Sequence, residues 1–99
     1  MFVVYKVKKL DTLAQIALKL KSTTTKIQSV NGVHSCRQGE RLLVEVLNGV
    51  PYTVKPFDTV SKIARNFGLS EHAVCEHNGI SEVFVGEVIM LPLDGQPHN

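Results

Sequence analysis

The sequence lacks the motifs that are typical of enzymes and membrane proteins. Its apolar runs are too short to span a bilayer, and the opening Met1-Phe2-Val3-Val4 is too short for the hydrophobic core of a signal peptide. It has no glycine-rich phosphate loop, no nucleophile elbow and no triad-like motif. The acidic residues stand singly, without the carboxylate pair that glycoside hydrolysis needs. We therefore expect no enzyme, no cofactor and no membrane partner.

The chain contains an internal repeat. Residues 5–46 recur as residues 52–93 at a constant offset of 47, without any insertion. Eleven aligned pairs are identical, where unrelated segments of ordinary composition would give roughly two or three. A fixed period indicates a duplicated unit. The identical pairs are Tyr5/Tyr52, Val7/Val54, Lys8/Lys55, Asp11/Asp58, Thr12/Thr59, Ile16/Ile63, Ala17/Ala64, Asn31/Asn78, Gly32/Gly79, Gly39/Gly86 and Glu40/Glu87.

The repeat predicts two small domains. Each unit is close to the lower size limit for independent folding, so its core is thin and a deep active-site pocket is not expected. The short segment Leu47-Asn48-Gly49-Val50-Pro51 joins the units and keeps them close together. The predicted boundaries are residues 1–47 for the first unit, 48–51 for the linker, 52–93 for the second unit and 94–99 for a flexible tail.

Each unit is predicted to contain a strand, two helices and a second strand. Residues alternate in character along Val3–Lys8 and Tyr52–Lys55, which predicts the first strands. Apolar residues then recur at i, i+3, i+4 and i+7 from Leu13 and from Val60, which predicts an amphipathic helix in each unit. The closing strands are predicted at residues 41–46 and 88–91.

Residues suited to helix ends flank the predicted helices. Asp11 and Asp58 are expected at the N-caps of the first helices, because a carboxylate accepts the free N–H groups of the first turn. Thr23 and Ser70 are expected to cap a shorter second helix. The residues expected to end that helix, since both types tolerate the left-handed conformation, are Asn31-Gly32 and Asn78-Gly79.

The separation of the two strands decides the fold class. The strands of one unit lie too far apart in sequence for a tight hairpin, so both helices must pack on one face of the sheet that the strands form. The predicted fold is therefore α+β, with two tandem βααβ units. Each unit has a two-stranded antiparallel sheet with two helices on one face.

The chain contains two cysteines, and each has a histidine two residues away. His34-x-Cys36 and Cys75-x-His77 are residues of zinc-ligand type. Cys75 and His77 are predicted to lie in a helix, where residues two apart point about 200° away from each other, so we expect no metal site. A disulfide between Cys36 and Cys75 is not favoured either, because the two occupy non-equivalent positions of the repeat. Free thiols are typical of a reducing compartment.

Charge is divided unevenly between the units. Residues 1–47 contain eight Lys and Arg against three Asp and Glu, whereas residues 48–99 contain three against six. The second unit lacks the basic face with aromatic stacking partners that nucleic-acid binders show, so no nucleic-acid partner is expected. Opposite net charges are compatible with contact between the units, with head-to-tail self-association, or with ordinary solvated surfaces.

The repeated motif resembles the lysin motif, LysM. The resemblance rests on Tyr-x-Val-Lys-x-x-Asp-Thr, then Ile-Ala, Asn-Gly and Gly-Glu before an apolar strand, and it covers residues 4–46 and 51–93. It implies a βααβ fold that binds N-acetylglucosamine-containing polymers, peptidoglycan or chitin, without catalysis. It also favours the cell wall or the spore envelope as the location. The family's glycine before Asp-Thr is replaced by Leu10 and Phe57.

The candidate glycan site lies in two loops of each unit, one after the first strand and one after the second helix. An acetamido sugar needs backbone donors and acceptors beside a small apolar surface, which loops at element ends supply. Both loops of a unit are expected at the same end of the fold. The candidate contact residues are Lys9, Leu10, Asp11, Thr12, Val33, His34, Ser35, Pro56, Phe57, Asp58, Thr59, Ile80, Ser81 and Glu82.

Some of these residues have a second, purely structural interpretation. The ring of Phe57 could lie against a sugar face, or Phe57 and Leu10 could cover the helix start. Asp11 and Asp58 are better explained as helix caps than as sugar ligands. At the level of function the alternative to glycan binding is a protein-interaction or assembly module, for instance in a spore coat or a scaffold. Free cysteines and the replaced loop glycine favour that alternative, whereas the repeated Asp-Thr and Asn-Gly loops favour glycan binding.

Overall fold

The computed structural model describes residues 1–92. Strands β1 and β2 pair antiparallel in one two-stranded sheet, and β3 and β4 pair antiparallel in another. The predicted α+β fold of two βααβ units is thereby confirmed. The tail predicted at 94–99 lies outside the described residues. The elements are β1 (Phe2–Lys6), α1 (Leu13–Leu20), α2 (Thr24–Asn31), β2 (Arg41–Glu45), β3 (Val50–Thr53), α3 (Val60–Phe67), α4 (Glu71–Asn78) and β4 (Val88–Leu91).

Each unit has its own small apolar core between its sheet and its helices. Ile16 and Ile27 are completely buried in the first unit, and Ile63 and Val74 are completely buried in the second. Ile16 and Ile63 lie at positions on the apolar face that the helical periodicity from Leu13 and Val60 predicts. Burial of each such side chain contributes about 1.5–3 kcal/mol, which matters in units this small.

The first helix of each unit begins one residue later than predicted. Thr12 and Thr59 are the N-cap residues, and their hydroxyls accept the N–H groups of Gln15 and Lys62. The expectation that Asp11 and Asp58 cap these helices is therefore wrong. Both aspartates are drawn instead into the preceding turn, because a tyrosine hydroxyl and a backbone N–H there compete for the carboxylate. Thr23 and Ser70 cap the second helices, as predicted.

Among residues 1–92, three residues other than glycine adopt the left-handed conformation. Leu10 (φ 70°) and Phe57 (φ 69°) occupy the turn before Asp-Thr, and Lys21 (φ 60°) ends α1. The equivalent end of α3 is formed by Gly68 at φ 69°. The left-handed conformation costs a residue with a side chain roughly 1–2 kcal/mol. The turn before Asp-Thr therefore keeps a backbone conformation that favours glycine, although Leu10 and Phe57 have large side chains.

The connection between the units is shorter than predicted. Val50 and Pro51, expected in the linker, belong to strand β3, where they pair with Leu91 and Met90. Proline is tolerated because β3 lies at the edge of a two-stranded sheet. Gly49 has φ 121°, and a methyl group there would collide with the backbone of Leu91, so the close approach of the connection to β4 requires glycine.

The two units pack against each other. The side chain of Val88, in β4, joins the hydrophobic core of the first unit. Its backbone N–H donates to Thr24 Oγ1 at 3.0 Å, and Thr25 Oγ1 donates to Glu87 Oε2 at 3.2 Å. Helix α1 also contacts β4. The start of α2 therefore covers the outer edge of the second sheet. No helix within residues 1–92 is long and apolar enough to cross a membrane.

Candidate functional site

A groove lies between the two predicted loops of the first unit. Its volume is about 300 Å³. One wall is the start of α1, the other is the loop after α2, and the N-terminal half of α2 closes the groove. The lining residues are Asp11, Thr12, Leu13, Thr24, Gln28, His34, Ser35 and Cys36.

The second unit contains the equivalent groove, also of about 300 Å³. Seven of its eight lining positions correspond to those of the first groove at the offset of 47. The duplication has therefore preserved the concavity together with the fold. The lining residues are Asp58, Thr59, Val60, Ser61, Glu71, Ser81, Glu82 and Val83.

A tyrosine–aspartate hydrogen bond sets the shape of the first loop in both units. Tyr52 Oη donates to Asp58 Oδ2 at 2.6 Å, and the N–H of Lys55 donates to the same oxygen at 2.8 Å. Tyr5 and Asp11 make the same contact at 2.6 Å in the first unit. The carboxylate thus ties the turn to the sheet and leaves the following threonine at the groove.

These hydrogen bonds shift the ionisation of their partners. The Tyr52 hydroxyl, and then the Lys55 N–H, lower the pKa of Asp58 below its ordinary value of 3.8. The hydrogen bond to Asp58 in turn raises the pKa of Tyr52 to about 12. The Tyr5 hydroxyl likewise lowers the pKa of Asp11. Both aspartates are therefore ionised at neutral pH, and they act in positioning the loop.

The second wall of the first groove is held by two further side chains. Cys36 Sγ lies 3.6 Å from the Asp11 carbonyl oxygen and donates to it, which connects the two loops. Gln28 Nε2 donates to the His34 carbonyl oxygen at 3.2 Å. Burial raises the pKa of the Cys36 thiol, which keeps the thiol protonated and able to donate this bond. In the second unit the positions of Cys36 and Gln28 are taken by Val83 and Cys75.

The two grooves differ in charge. Thr24 and Ser35 of the first groove are replaced by Glu71 and Glu82 in the second, beside the conserved pair of Asp11 and Asp58. The first groove therefore presents mainly neutral donors and acceptors, whereas the second presents carboxylates. Both have an apolar side chain at the helix start. The first groove suits a neutral, polyhydroxylated ligand with a small apolar group. The carboxylates of the second groove can accept hydrogen bonds from hydroxyl groups.

The structure brings eight of the fourteen candidate residues into the grooves and places the rest elsewhere. Val33 and Ile80 pack against the hydrophobic cores. Leu10 and Phe57 are 85% and 87% exposed and are absent from the groove linings, because their left-handed turn directs the side chain outward. Lys9 lines a separate concavity of about 520 Å³ beside Gln38 and Gly39. Pro56 is exposed. The eight residues brought together are Asp11, Thr12, His34, Ser35, Asp58, Thr59, Ser81 and Glu82.

Eight lining residues are not among the candidates predicted from the sequence: six lie in the helices, and Cys36 and Val83 lie at the ends of the second loops. The signal was available, because a residue at the start of an amphipathic helix and next to a candidate loop borders the same space. The missed lining residues are Leu13, Thr24, Gln28, Cys36, Val60, Ser61, Glu71 and Val83.

The cysteines and histidines of the described residues form no metal site. Cys75 and His77 lie in α4, as the spacing argument assumed, and both cysteine thiols are free. Within residues 1–92 no group of three His, Cys, Asp or Glu side chains could hold a metal ion.

Solved structures with a similar fold include spore enzymes. The chain resembles part of the Bacillus megaterium QM B1551 spore cortex-lytic enzyme SleL, with 29% identity and a TM-score of 0.51 over 97% of this chain. The Bacillus cereus spore cortex-lytic enzyme SleL gives 24% identity and a TM-score of 0.44 over 92% of this chain. The chain spans less than a quarter of the length of either enzyme, 23% and 22% respectively. No curated protein matches the chain at a significant level.

The family comparison covers most of the sequence. The model of the LysM domain matches residues 5–37 and again residues 52–92. LysM domains are non-catalytic modules that generally bind peptidoglycan or chitin. The second matched segment reaches from β3 to β4, whereas the first ends before β2. Both segments include all the residues that line their groove. The chain therefore belongs to the LysM domain family and contains two tandem copies of the domain.

Proposed function

We propose that this protein binds N-acetylglucosamine-containing polysaccharide, peptidoglycan or chitin, through the grooves of both units and without catalysis. The observation that carries the proposal is the duplicated groove. Two concavities of the same size are lined at equivalent positions by the loops after the first strand and the second helix. Membership of the LysM family supports a glycan as the ligand.

The chemistry of the groove fits an acetamido sugar. Such a sugar offers an amide N–H, a carbonyl, hydroxyls and a methyl group, so it needs hydrogen-bonding partners beside a small apolar surface. Thr12 and Ser35 supply hydroxyls in the first groove, and Leu13 supplies the apolar surface. The second groove offers Thr59 and Val60 in the same roles. Such sites recognise a ligand mainly by hydrogen bonds and shape.

The proposed place of action is the cell wall or the spore envelope. The relevant neighbour is described as a spore cortex-lytic enzyme, and the chain corresponds to less than a quarter of that enzyme. We propose that the two units attach the polypeptide to the wall polymer. The connection between them is short, so both grooves belong to one packed body and can engage one polymer chain or one insoluble surface.

A sedimentation assay on insoluble peptidoglycan and chitin tests the proposal. His34→Arg and Ser81→Arg place the same bulky side chain at equivalent, exposed positions in the two grooves. Because one of two linked contacts is lost, each single variant should bind at least tenfold more weakly. The double variant should remain in the supernatant. Gln38→Arg, at an exposed position outside both grooves, is the control and should bind like the wild type.

Two results would overturn this function. One is a wild-type protein that stays in the supernatant with both polymers. The other is a double groove variant that sediments as well as the Gln38→Arg control. Circular dichroism of each variant checks that the fold is retained.

A further inference from the structure

The outer faces of the two sheets differ in how well they are covered. In β4 the side chains of Val88 and Met90 point away from the core of their own unit, yet they are 1% and 0% exposed. Val88 is buried in the core of the first unit. The residues at the equivalent positions of β2, Arg41 and Leu43, are exposed. The exposed outer face of the first sheet is therefore equivalent to the face that the second sheet buries against the first unit.

The exposed face of the first sheet is apolar at its centre. Phe2 and Val4 of β1 lie on it and are 52% and 67% exposed. Val4 is paired with Leu43 across the sheet, and Lys6 is paired with Arg41. Contiguous exposed apolar side chains with a charged rim are typical of an interaction surface. We call this surface, formed by Phe2, Val4, Lys6, Arg41 and Leu43, the sheet face.

The start of α2, which covers the second sheet, has an exposed equivalent at the start of α4. Thr23 and Thr24, where α2 begins, are buried and half-buried. Their equivalents at the start of α4, Ser70 and Glu71, are exposed. We call the surface formed by Phe67, Ser70, Glu71 and His72 the helix face. Phe67 is the exposed equivalent of Leu20, which packs against the core that Val88 joins.

We propose that the helix face of one molecule binds the sheet face of a second copy, repeating between molecules the contact that joins the two units within one molecule. The intramolecular contact is the template, since both of its surfaces have an exposed equivalent at the offset of 47. The sheet face differs from the second sheet at one position, where Arg41 stands in place of the buried Val88. Each molecule keeps one free sheet face and one free helix face.

Charge complementarity supports a second copy as the partner. Within the molecule, Thr24 accepts a hydrogen bond from the N–H of Val88. At the offset of 47, these two residues become Glu71 and Arg41. The bond within the molecule uses the backbone N–H of Val88, whose side chain is buried in the core of the first unit. When the contact is repeated between molecules, the side chain of Arg41 takes the place of that buried valine. It then lies beside the carboxylate of Glu71, with which an arginine can form a bidentate pair.

A second pair follows the same relationship. Thr25 donates to Glu87 within the molecule, and its equivalents are His72 and Glu40. A histidine ring N–H donates to a carboxylate in the same sense as the threonine hydroxyl. Both intramolecular hydrogen-bonded pairs are thus replaced by chemically matched pairs, and a randomly chosen surface would not be expected to match at both points.

The proposed contact is heterologous, because two different surfaces meet. A heterologous contact produces a ring if the rotation closes and an open helical row if it does not. Neither groove shares a lining residue with the sheet face. Glu71 belongs both to the helix face and to the second groove, just as Thr24 belongs both to the contact between the units and to the first groove. In a row of molecules successive grooves would therefore repeat along one direction, which suits a surface of long polymer chains.

Charge-reversal variants test the contact by sedimentation velocity in the absence of polysaccharide. The wild type should show a weight-average sedimentation coefficient that rises with concentration between about 10⁻⁵ and 10⁻³ M, the range of weak affinities. Arg41→Glu and Glu71→Arg place like charges opposite each other, so each variant alone should remain monomeric. An equimolar mixture of the two should associate again, because every contact between unlike copies is then complementary.

Further variants separate this contact from others. The double variant Arg41→Glu/Glu71→Arg should associate like the wild type. Lys9→Glu reverses a charge at an exposed position outside both faces and should not alter association. A wild type that is monomeric at 10⁻³ M overturns the proposal, and it would mean that another partner or nothing covers the sheet face. A mixture that stays monomeric also overturns it. So does a Glu71→Arg variant that still associates alone, because that result indicates a symmetric contact between two sheet faces.

Discussion

Asn78 serves as the hydrogen-bonding partner of Met90 at the outer edge of the second sheet. Its Nδ2 donates to the Met90 carbonyl oxygen at 2.8 Å, and its Oδ1 accepts the Met90 N–H at 2.7 Å. The same side chain also donates to the carbonyl of Val74 in α4. Asn31 makes the equivalent pair of bonds to Leu43 in the first unit, both at 2.9 Å. The Asn-Gly pair therefore ends a helix and also fastens it to the closing strand.

Replacing this asparagine should lower the free energy of unfolding more in the second unit than in the first. Asn78 is 1% exposed, whereas Asn31 is only half-buried. Asn78→Ala leaves the buried N–H and carbonyl of Met90 unpaired, at about 1–3 kcal/mol for each group. Asn31→Ala should cost less because water reaches the groups it releases. Urea unfolding of both variants measures the difference, and equal losses would contradict the role assigned to burial.

The left-handed turn before Asp-Thr predicts a stabilising substitution. Phe57 has φ 69° and is almost fully exposed, so Phe57→Gly relieves backbone strain without removing core contacts. We expect the free energy of unfolding to rise by up to about 1 kcal/mol. Gly86→Ala, at φ 90° and with open space around it, is the converse control and should destabilise.

The same variant separates the two interpretations of Phe57. If the ring lies outside the groove in the complex as well, Phe57→Gly should bind peptidoglycan or chitin like the wild type. A large loss of binding with a raised melting temperature would instead show that the exposed ring contacts the sugar.

The hydrogen bond between Tyr52 and Asp58 predicts two pH windows. Because the bond lowers the pKa of Asp58, its contribution is complete above the ordinary value of 3.8 and is lost as the pH falls through the lower folded-state value. Because it raises the pKa of Tyr52 to about 12 from 10.0, its contribution is complete below pH 10 and is lost between pH 10 and about pH 12.

Tyr52→Phe isolates these effects. The difference in stability between the wild type and this variant should be constant from about pH 5 to pH 9. It should shrink below the ordinary aspartate pKa of 3.8 and above the ordinary tyrosine pKa of 10.0. Chemical unfolding across the pH range measures it. If the wild type and Tyr52→Phe differ in stability by the same amount at pH 2 and pH 7, the Asp58 carboxylate is not the partner of the Tyr52 hydroxyl.

Salt dependence distinguishes groove binding from attachment by charge. Binding through neutral hydrogen bonds should change only a few-fold when the salt concentration is raised several-fold, because counterion release is not involved. Titration of a chitin oligomer at two salt concentrations measures this. A steep loss of affinity would implicate the basic surface of residues 1–47.

The fold was predictable because each sequence pattern that indicates a helix or its end occurs in both units. Apolar periodicity from Leu13 and Val60 gave the helices, and the Asn-Gly pairs gave their ends. The helix start was missed by one residue, since Asp and Thr are both good caps. Only the packed sheet shows that the Tyr5 hydroxyl reaches Asp11 and leaves the cap to Thr12.

The candidate site and the contact between units were less accessible to sequence reasoning. The sequence predicted the loops that border the grooves. It did not predict the lining residues Thr24, Gln28 and Glu71, because their contribution depends on how α2 and α4 pack. The burial of Val88 against the first unit could not be predicted either. Its equivalent is Arg41, and local sequence does not show which sheet face meets which helix.

The measurement that tests the glycan-binding account most directly is an amide chemical-shift titration with a soluble N-acetylglucosamine oligomer. We predict that the largest shifts cluster at the two groove walls, residues 11–13 with 33–36 and residues 58–60 with 80–83. The groove variants His34→Arg and Ser81→Arg should each remove only the shifts of their own unit. Shifts centred on the sheet face or beside Lys9, or no shifts at millimolar oligomer, would contradict the account.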